Sequence, residues 1–281
     1  MTTICIYHSH CIDGFGAAWA VHRALGDREV EYFPGVHQMP PPDVTGQRVI
    51  LVDFSYKRPV LLEMASQAES ILILDHHLSA RDDLVDLPSN VTAHFDLDHS
   101  GAILAWQHYF PDQPPPMLLR HIQDRDLWRF ELEGTNEIQS ALYSYPYDFA
   151  LWDRFVTDPQ ALAKLREDGK ALQRKQFKDI QQLIASGARR MKIAGYSVPV
   201  LNAPSAYSSD AGNILAKGEP FAACYWDGKE GRNFSLRSSA DGLDVSRVAV
   251  GFGGGGHPRG PSQHGRPCRN RVGRPWCDGE R

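Results

Sequence analysis

Four short segments hold the residues best suited to bind and activate an ion: His8-Ser9-His10-Cys11-Ile12-Asp13-Gly14, Asp53-Phe54-Ser55, Asp75-His76-His77 and His121-Ile122-Gln123-Asp124-Arg125-Asp126. Taken singly none is specific, because a buried aspartate commonly caps a helix and a histidine at a strand end is commonly a satisfied hydrogen-bonding group. Their recurrence is the signal. Carboxylates that converge in one crevice repel and raise one another's pKa, a costly arrangement unless cations neutralise it. Oxygen-rich groups with some imidazole suit Mn2+ or Mg2+ better than thiolate-seeking metals. Two such ions about 3.5–4 Å apart can activate a water and stabilise the leaving oxygen of a phosphate.

The elements that must position these groups are legible as alternating short apolar strands and amphipathic helices. Residues 3–7, 48–52 and 70–74 read as buried strands, each running into one of the polar segments at its carboxyl end, with helices over 14–24 and 58–68 between them. This is the pattern of an α/β fold with a parallel sheet and helices on both faces, in which ligands collect at the carboxyl ends of the strands. Gly16, Ala17 and Ala18 keep the first helix slim enough to pack closely. A polar stretch from Pro159 to about Met191, with a narrow apolar stripe of Leu162, Leu165, Leu172, Phe177, Ile180 and Leu183, predicts one or two connecting helices. Strands over 197–201, 221–226 and 233–237, with a helix near 209–216, then predict a second, smaller α/β domain.

Composition narrows the function classes. The chain has 281 residues, 42% hydrophobic and 23% charged, long enough for two domains of ordinary globular type. A formal net charge of -4 argues against gripping long duplex nucleic acid through a broad basic face, though it leaves room for a local basic cleft. Five scattered cysteines without a paired spacing, and a start lacking a basic, then apolar leader, give the cytoplasm as the expected location. No apolar run approaches the roughly 20 residues that span a bilayer, so no membrane partner is expected. Trp19, Trp106 and Trp128 fall in or beside apolar helical stretches and are expected to pack rather than stack on bases. Arg125 and Arg129 suit either phosphate or structural ion pairs.

Taken in order, Asp13-Gly14, Asp53-Phe54-Ser55, Asp75-His76-His77 and Asp124-Arg125-Asp126 resemble the four motifs of the DHH/DHHA1 phosphoesterase family. Ser100-Gly101-Ala102, opening a helix after Phe95-Asp96, is similar to the turn that follows the family's DHH triplet. Gly254-Gly255-Gly256-His257, with Ser235-Leu236-Arg237-Ser238 upstream, is similar to the substrate motif of DHHA1 domains and its partner strand. The resemblance spans roughly residues 3–259, and the order of motifs is far more specific than any one of them.

The resemblance implies a division into a DHH catalytic domain over 1–157, a helical linker over 158–191 and a DHHA1-like substrate domain over 192–259. It implies two Mn2+ ions, with Mg2+ or Co2+ as substitutes. Asp53 would bridge them; His8, Asp13, His76 and Asp124 would complete the shells, with Asp126 as the alternative from the fourth motif. Asp75 and His77 would orient His76, contact phosphate or protonate the departing oxygen. Gly254, Gly255 and Gly256 would let the backbone approach a phosphate or base, while His257 and Arg237 donate hydrogen bonds to it. Short oligonucleotides are the expected substrate, with inorganic polyphosphate, cyclic dinucleotides or a weakly catalytic phosphate-binding sensor as rivals; a dimer is compatible with all of these.

Two departures stand out. The first motif usually carries two aspartates around one residue, and here the first of them is replaced by Cys11, with His10 beside it. Either His10 or Cys11 takes over as ligand, or the first ion site is weaker. After Arg259 the family's small residues and closing strand give way to an Arg-, Gly- and Pro-rich stretch over 260–281, unsuited to a core. It reads as a disordered basic tail, a short metal tract using His264, Cys268 and Cys277, or the product of a changed reading frame.

Overall fold

The structure, a computed structural model, describes residues 2–26, 30–37, 39–228, 231–252 and 254. Gly255, Gly256, His257 and the 260–281 segment therefore lie outside the described residues. In chain order the first elements are β1 (Thr3–His8), α1 (Ile12–Leu25), β2 (Val30–Gly35), β3 (Arg48–Val52), α2 (Arg58–Gln67), β4 (Ser70–Asp75), α3 (Leu78–Asp83) and β5 (Val91–Phe95). Helices α4 (Gly101–Tyr109), α5 (Met117–Asp126), α6 (Thr135–Leu142), α7 (Phe149–Thr157) and α8 (Ala161–Gly187) follow. The chain ends its described course with β6 (Arg189–Ile193), β7 (Tyr196–Asn202), α9 (Ser205–Leu215), β8 (Ala222–Gly228), β9 (Gly231–Arg237) and α10 (Val245–Val250). It divides into two compact units, residues 1–173 and 174–281.

The first unit is built on a five-stranded sheet in the order β2-β1-β3-β4-β5, parallel at every pairing. Alternation along the strands sends Ile4, Ile6, Val49, Leu51, Ile71 and Ile73 to one face, where they pack with Leu61 and Met64 of α2. Cys5, Ile50, Val52 and Leu74 point to the other face, against Trp19 of α1, Ala102 of α4 and Leu119 and Ile122 of α5. With apolar residues facing both ways, the inner strands read as near-continuous hydrophobic runs, as a sheet covered on both sides requires. The small residues of α1 allow a close approach on this second face: a side chain at Gly16 would stand 3.1 Å from the Ala102 methyl.

Strand order fixes where the chemistry goes. From β1 the chain moves outward to β2, then returns to the far side of β1 as β3 and continues through β4 to β5. The boundary between β1 and β3 is thus the place where the winding direction reverses, and the loops leaving their carboxyl ends diverge to open a crevice. The first two motifs leave from these two strands and the third from β4 beside them.

The second unit carries a mixed sheet in the order β6-β7-β8-β9, antiparallel at β6–β7 and β8–β9 and parallel at β7–β8. Val198, Val200, Ala223 and Leu236 pack with Val245 and Ala249 of α10, and Leu201 and Cys224 lie with Ile180 of α8 and Ala211 of α9. The α/β class and the second sheet match the expectation from sequence. The expected linker differs in two ways. Residues 158–173 belong to the first unit, where Leu165 joins the core around Trp19, and the stretch expected to stay helical to Met191 turns into β6 at Arg189. Among the described residues no helix is long and apolar enough to cross a membrane.

Candidate metal centre

The carboxyl ends of β1, β3 and β4, together with the last turn of α5, bring seven polar side chains into one place. Three sets of ligand atoms lie within 4.8 Å of one another: His8, Cys11 and Asp53; Asp53, His76 and His77; and Asp13, His76 and Asp126. Asp53 and His76 each belong to two sets, so the three form one continuous constellation.

Asp53 sits at its centre. Its backbone is left-handed, with φ 52°, a conformation that aspartate tolerates better than most residues and that recurs at functional sites. The residue is 1% exposed; Oδ1 is 3.0 Å from Nε2 of His76 and Oδ2 is 3.5 Å from Nδ1 of His8. Neither ring nitrogen of His8, itself 5% exposed, makes a hydrogen bond, and neither does Oδ2 of Asp53. Buried polar atoms left in this state are costly unless something else binds them. Their convergence with carboxylates and a thiol fits a divalent cation.

Asp13, in the first turn of α1, is anchored by the start of α4. Its carboxylate accepts the amides of Gly101 (2.7 Å) and Ala102 (3.1 Å), so it caps α4 from outside the helix while keeping Oδ2 3.8 Å from Nε2 of His76. This explains Ser100-Gly101-Ala102: a Cβ at Gly101 would stand 2.4 Å from that of Asp53 and 3.0 Å from the Asp13 carboxylate. Gly14 answers to the same crowding, since a Cβ there would lie 2.4 Å from the His8 carbonyl.

Asp75 behaves differently from its neighbours. Fully buried, it accepts the Ser55 hydroxyl (2.6 Å) on one oxygen, and the His76 amide (2.7 Å) and His77 Nδ1–H (2.6 Å) on the other. Both oxygens are spent on holding the loop, so Asp75 orients the two histidines and leaves the Nε2 of His77 as that ring's reactive atom. Ser55, to which the sequence assigned no role, is part of this support.

The electrostatics follow the crowding. Burial, and then the charges of Asp53 and Asp126, push Asp13 well above the usual carboxylate range, and burial followed by His76 and Asp53, in opposite senses, leaves Asp126 raised as well. Burial opposes ionisation of Asp53, but His76 and His8 hold it well below that range. Burial likewise works against protonation of His76, yet its hydrogen bond to Asp53 and the charges of Asp126, Asp53 and Asp13 push it up to about 10. Asp75 is drawn down to about 2 because His77 and His76 outweigh its burial. A surplus of negative charge here holds a proton on an imidazole that a cation would displace.

The fourth motif resolves in favour of its second aspartate. Asp126 brings Oδ2 within 3.6 Å of Nε2 of His76. Asp124, two residues earlier on α5, is turned away and saturated: it accepts the amides of Glu131 (2.8 Å) and Leu132 (3.1 Å) and the Thr135 hydroxyl (2.6 Å), clamping the α5–α6 turn. Asp124 is thus no member of the three sets. His10 also stays outside them, exposed, with left-handed backbone at φ 56°, while the turn it makes delivers Cys11. His37, whose ring centroid lies 5.1 Å from that of His8, is a further neighbour that no sequence motif announced.

Around the centre, Arg129 donates to the Asp98 carbonyl (2.7 Å), and the Arg125 guanidinium lies 4.0 Å from the Trp128 ring centre. Trp19 and Trp106 are buried as expected, but Trp128 is 39% exposed, because a left-handed backbone (φ 60°) after α5 turns it outward. In the second unit Arg237 is 1% exposed and donates to the hydroxyls of Ser235 (2.7 Å) and Ser209 (2.6 Å) and to the Leu236 carbonyl (2.7 Å). Gly254 donates its amide to the Ala249 carbonyl (2.8 Å).

No family model matches the chain. A curated relative, an uncharacterized protein of Acanthamoeba polyphaga mimivirus, is 33% identical over 280 residues, covering 90% of this chain; the chain spans 65% of that protein's length. Among solved structures, the DHH domain of a protein described as a member of a ribosomal-protein family superposes with a TM-score of 0.61 at 14% identity, over 92% of this chain and 82% of that one. RecJ from Thermus thermophilus, solved in complex with Mn2+, gives a TM-score of 0.48 at 14% identity, over 93% of this chain and 49% of that one. With its parallel sheet, its second mixed sheet and its motifs at the strand ends, the chain has the fold of the DHH-domain proteins.

Proposed function

We propose that the chain is a metal-dependent phosphoesterase of the DHH type that hydrolyses the phosphodiester bonds of short oligonucleotides. The observation that carries this reading is that Asp53 belongs to two ligand sets, one with His8 and Cys11 and one with His76 and His77, and that His76 links it in turn to Asp13 and Asp126, which suits a bridging carboxylate. His8 and Cys11 would complete one ion position, and Asp13, His76 and Asp126 the other. Bound there, two divalent cations of the Mn2+ class would supply the charge that activates a water and offsets the charge developing on the phosphate.

The protein's own groups supply the remainder. Burial disfavours a charged His77, but its contact with Asp75 raises its pKa above the ordinary imidazole value, so Nε2 carries a proton to donate to the departing ester oxygen. Asp75 keeps that ring in one orientation. Contact of Arg237, Gly254, Gly255, Gly256 and His257 with substrate rests on their resemblance to the DHHA1 substrate motif.

The same centre would accept the terminal phosphate of inorganic polyphosphate or a cyclic dinucleotide. A cysteine in the place of a first-motif carboxylate favours one further reading, a slow enzyme acting as a phosphate-binding sensor. Incubating the protein and Mn2+ with 5′-labelled di- to pentanucleotides, polyphosphate and cyclic dinucleotides separates these. Mononucleotide release from the short oligonucleotides, lost in Asp53→Asn, is expected; tight binding without product from any substrate would establish the sensor instead. Asn is the apt replacement because it tolerates the left-handed backbone at this position.

A further inference from the structure

We propose that the ion position beside β1 is a mixed site of thiolate, imidazole and carboxylate, formed by Cys11, His8 and Asp53, and that it selects a thiophilic divalent cation such as Zn2+ or Co2+ over Mn2+ and Mg2+. The inference rests on the metal-centre reading above and adds to it the identity of the ion at one of the two positions. Three kinds of donor, nitrogen, sulfur and oxygen, lie within 4.8 Å of one another there. Two of them are buried and make no hydrogen bond, both ring nitrogens of His8, 5% exposed, and Oδ2 of Asp53, 1% exposed, with only the 3.5 Å approach of His8 Nδ1 to that oxygen between them.

A buried cysteine ordinarily serves as a small apolar side chain. Cys5 does so, buried in the same apolar cluster as Ile50, Val52 and Trp19. Cys11 is placed otherwise. Half-buried, it stands at the N-terminal cap of α1 without making a side-chain capping hydrogen bond, and its charged neighbours are Asp53, Asp126 and Asp13. A thiol beside carboxylates gains nothing from apolar contact, whereas a cation held between Cys11, His8 and Asp53 would bind all three.

Ligand softness then decides the ion. Thiolate ligands favour Zn2+ and its neighbours, while a set of two carboxylates and one imidazole, as in Asp13, His76 and Asp126, suits Mn2+ or Mg2+. The constellation is therefore asymmetric, with one softer and one harder position. On binding, the Cys11 S–H proton leaves to solvent as the sulfur–metal bond forms, so that the charge gained from the ion is partly offset by the thiolate.

Metal-stripped protein titrated with Co2+ tests this without reference to catalysis. A near-ultraviolet thiolate-to-Co2+ charge-transfer band is expected in the wild type and absent in Cys11→Ser and Cys11→Asp. In equilibrium dialysis Cys11→Asp is expected to lose Zn2+ affinity by more than the roughly 10- to 100-fold that loss of a supporting hydrogen bond costs a metal site, and to gain affinity for Mn2+. Stoichiometric Co2+ binding with no such band, and with the same affinity in Cys11→Ser, would overturn the mixed site while leaving a metal centre in place. Absence of Co2+, Zn2+ and Mn2+ binding altogether would overturn both this inference and the phosphoesterase reading. Because the wild-type spectrum is itself decisive, a variant that fails to fold does not shield the proposal.

Discussion

Asp124 and Asp126 stand two residues apart on one helix and have opposite fates. The first has each carboxylate oxygen engaged by amides or a hydroxyl of the α5–α6 turn; the second reaches the crowded strand ends and stands 3.6 Å from Nε2 of His76. The same contrast separates Asp75, whose oxygens are spent on Ser55, His76 and His77, from Asp53, whose Oδ2 has no hydrogen bond. In these two pairs saturation separates a carboxylate that builds the frame from one that is kept for a ligand, while Asp13 does both, accepting the Gly101 and Ala102 amides and standing 3.8 Å from Nε2 of His76. A frame carboxylate should cost stability when removed, and a ligand carboxylate should cost ion binding.

The sharpest break comes at Asp53. Asp53→Asn is expected to abolish Mn2+ binding, measured by isothermal titration, and to bring phosphodiester hydrolysis to background, with thermal stability kept. Asp124→Ala should show the reverse pattern. Leaving two amides and a hydroxyl unpaired in a buried turn is expected to cost about 2–3 kcal/mol in chemical denaturation, while the ion affinity of the folded protein is unchanged. Equal losses of ion affinity in the two variants would erase the distinction.

Intermediate effects probe the support around the ligands. Asp75→Asn weakens the hold on His77 and His76, and ion affinity is expected to fall by roughly 10- to 100-fold, the usual consequence of losing a group that orients a ligand. The smallest effect concerns the apoprotein. Burial and the charge of Asp53 outweigh His76 in raising the Asp126 pKa, so its ionised form works against the fold above its ordinary titration range and ceases to do so below it. Metal-free Asp126→Asn should therefore melt at a higher temperature than the wild type at neutral pH. That gain should fade as the pH falls below about 4, where the wild-type carboxylate is protonated in folded and unfolded chains alike.

How much of this can be read from the chain follows a division between centre and edge, with the edge strand β9, whose half Phe234–Arg237 is buried, as the exception. Strands β1, β3 and β4 are legible because they are the inner strands, apolar toward both layers of helices. The edge strands β2 and β5, with the sequences VEYFPG and VTAHF, carry polar residues toward solvent and give no clear strand signature, and the edge strand β6, RRMKI, is alike in this. The gathering of His8, Asp13, Asp53 and His76 is legible because each follows an inner strand in the order of a parallel sheet.

The choice between Asp124 and Asp126 is not, since it depends on how residues 131–135 fold back onto α5, a tertiary matter that helical spacing leaves open. His10 is likewise indistinguishable from Cys11 in the sequence; the left-handed turn at His10 decides which side chain faces inward. The outward turn of Trp128 has the same origin, a left-handed backbone in a residue type that rarely adopts it.

The most direct test of the central claim is the anomalous signal from crystals of metal-stripped protein in excess Mn2+, with no competing ion, so that both positions fill, collected at the manganese edge. Two peaks about 3.5–4 Å apart are expected, with Asp53 touching both, Asp126 touching one and Asp124 touching neither. A single peak held by Asp124, or no peak near Asp53, would contradict the account.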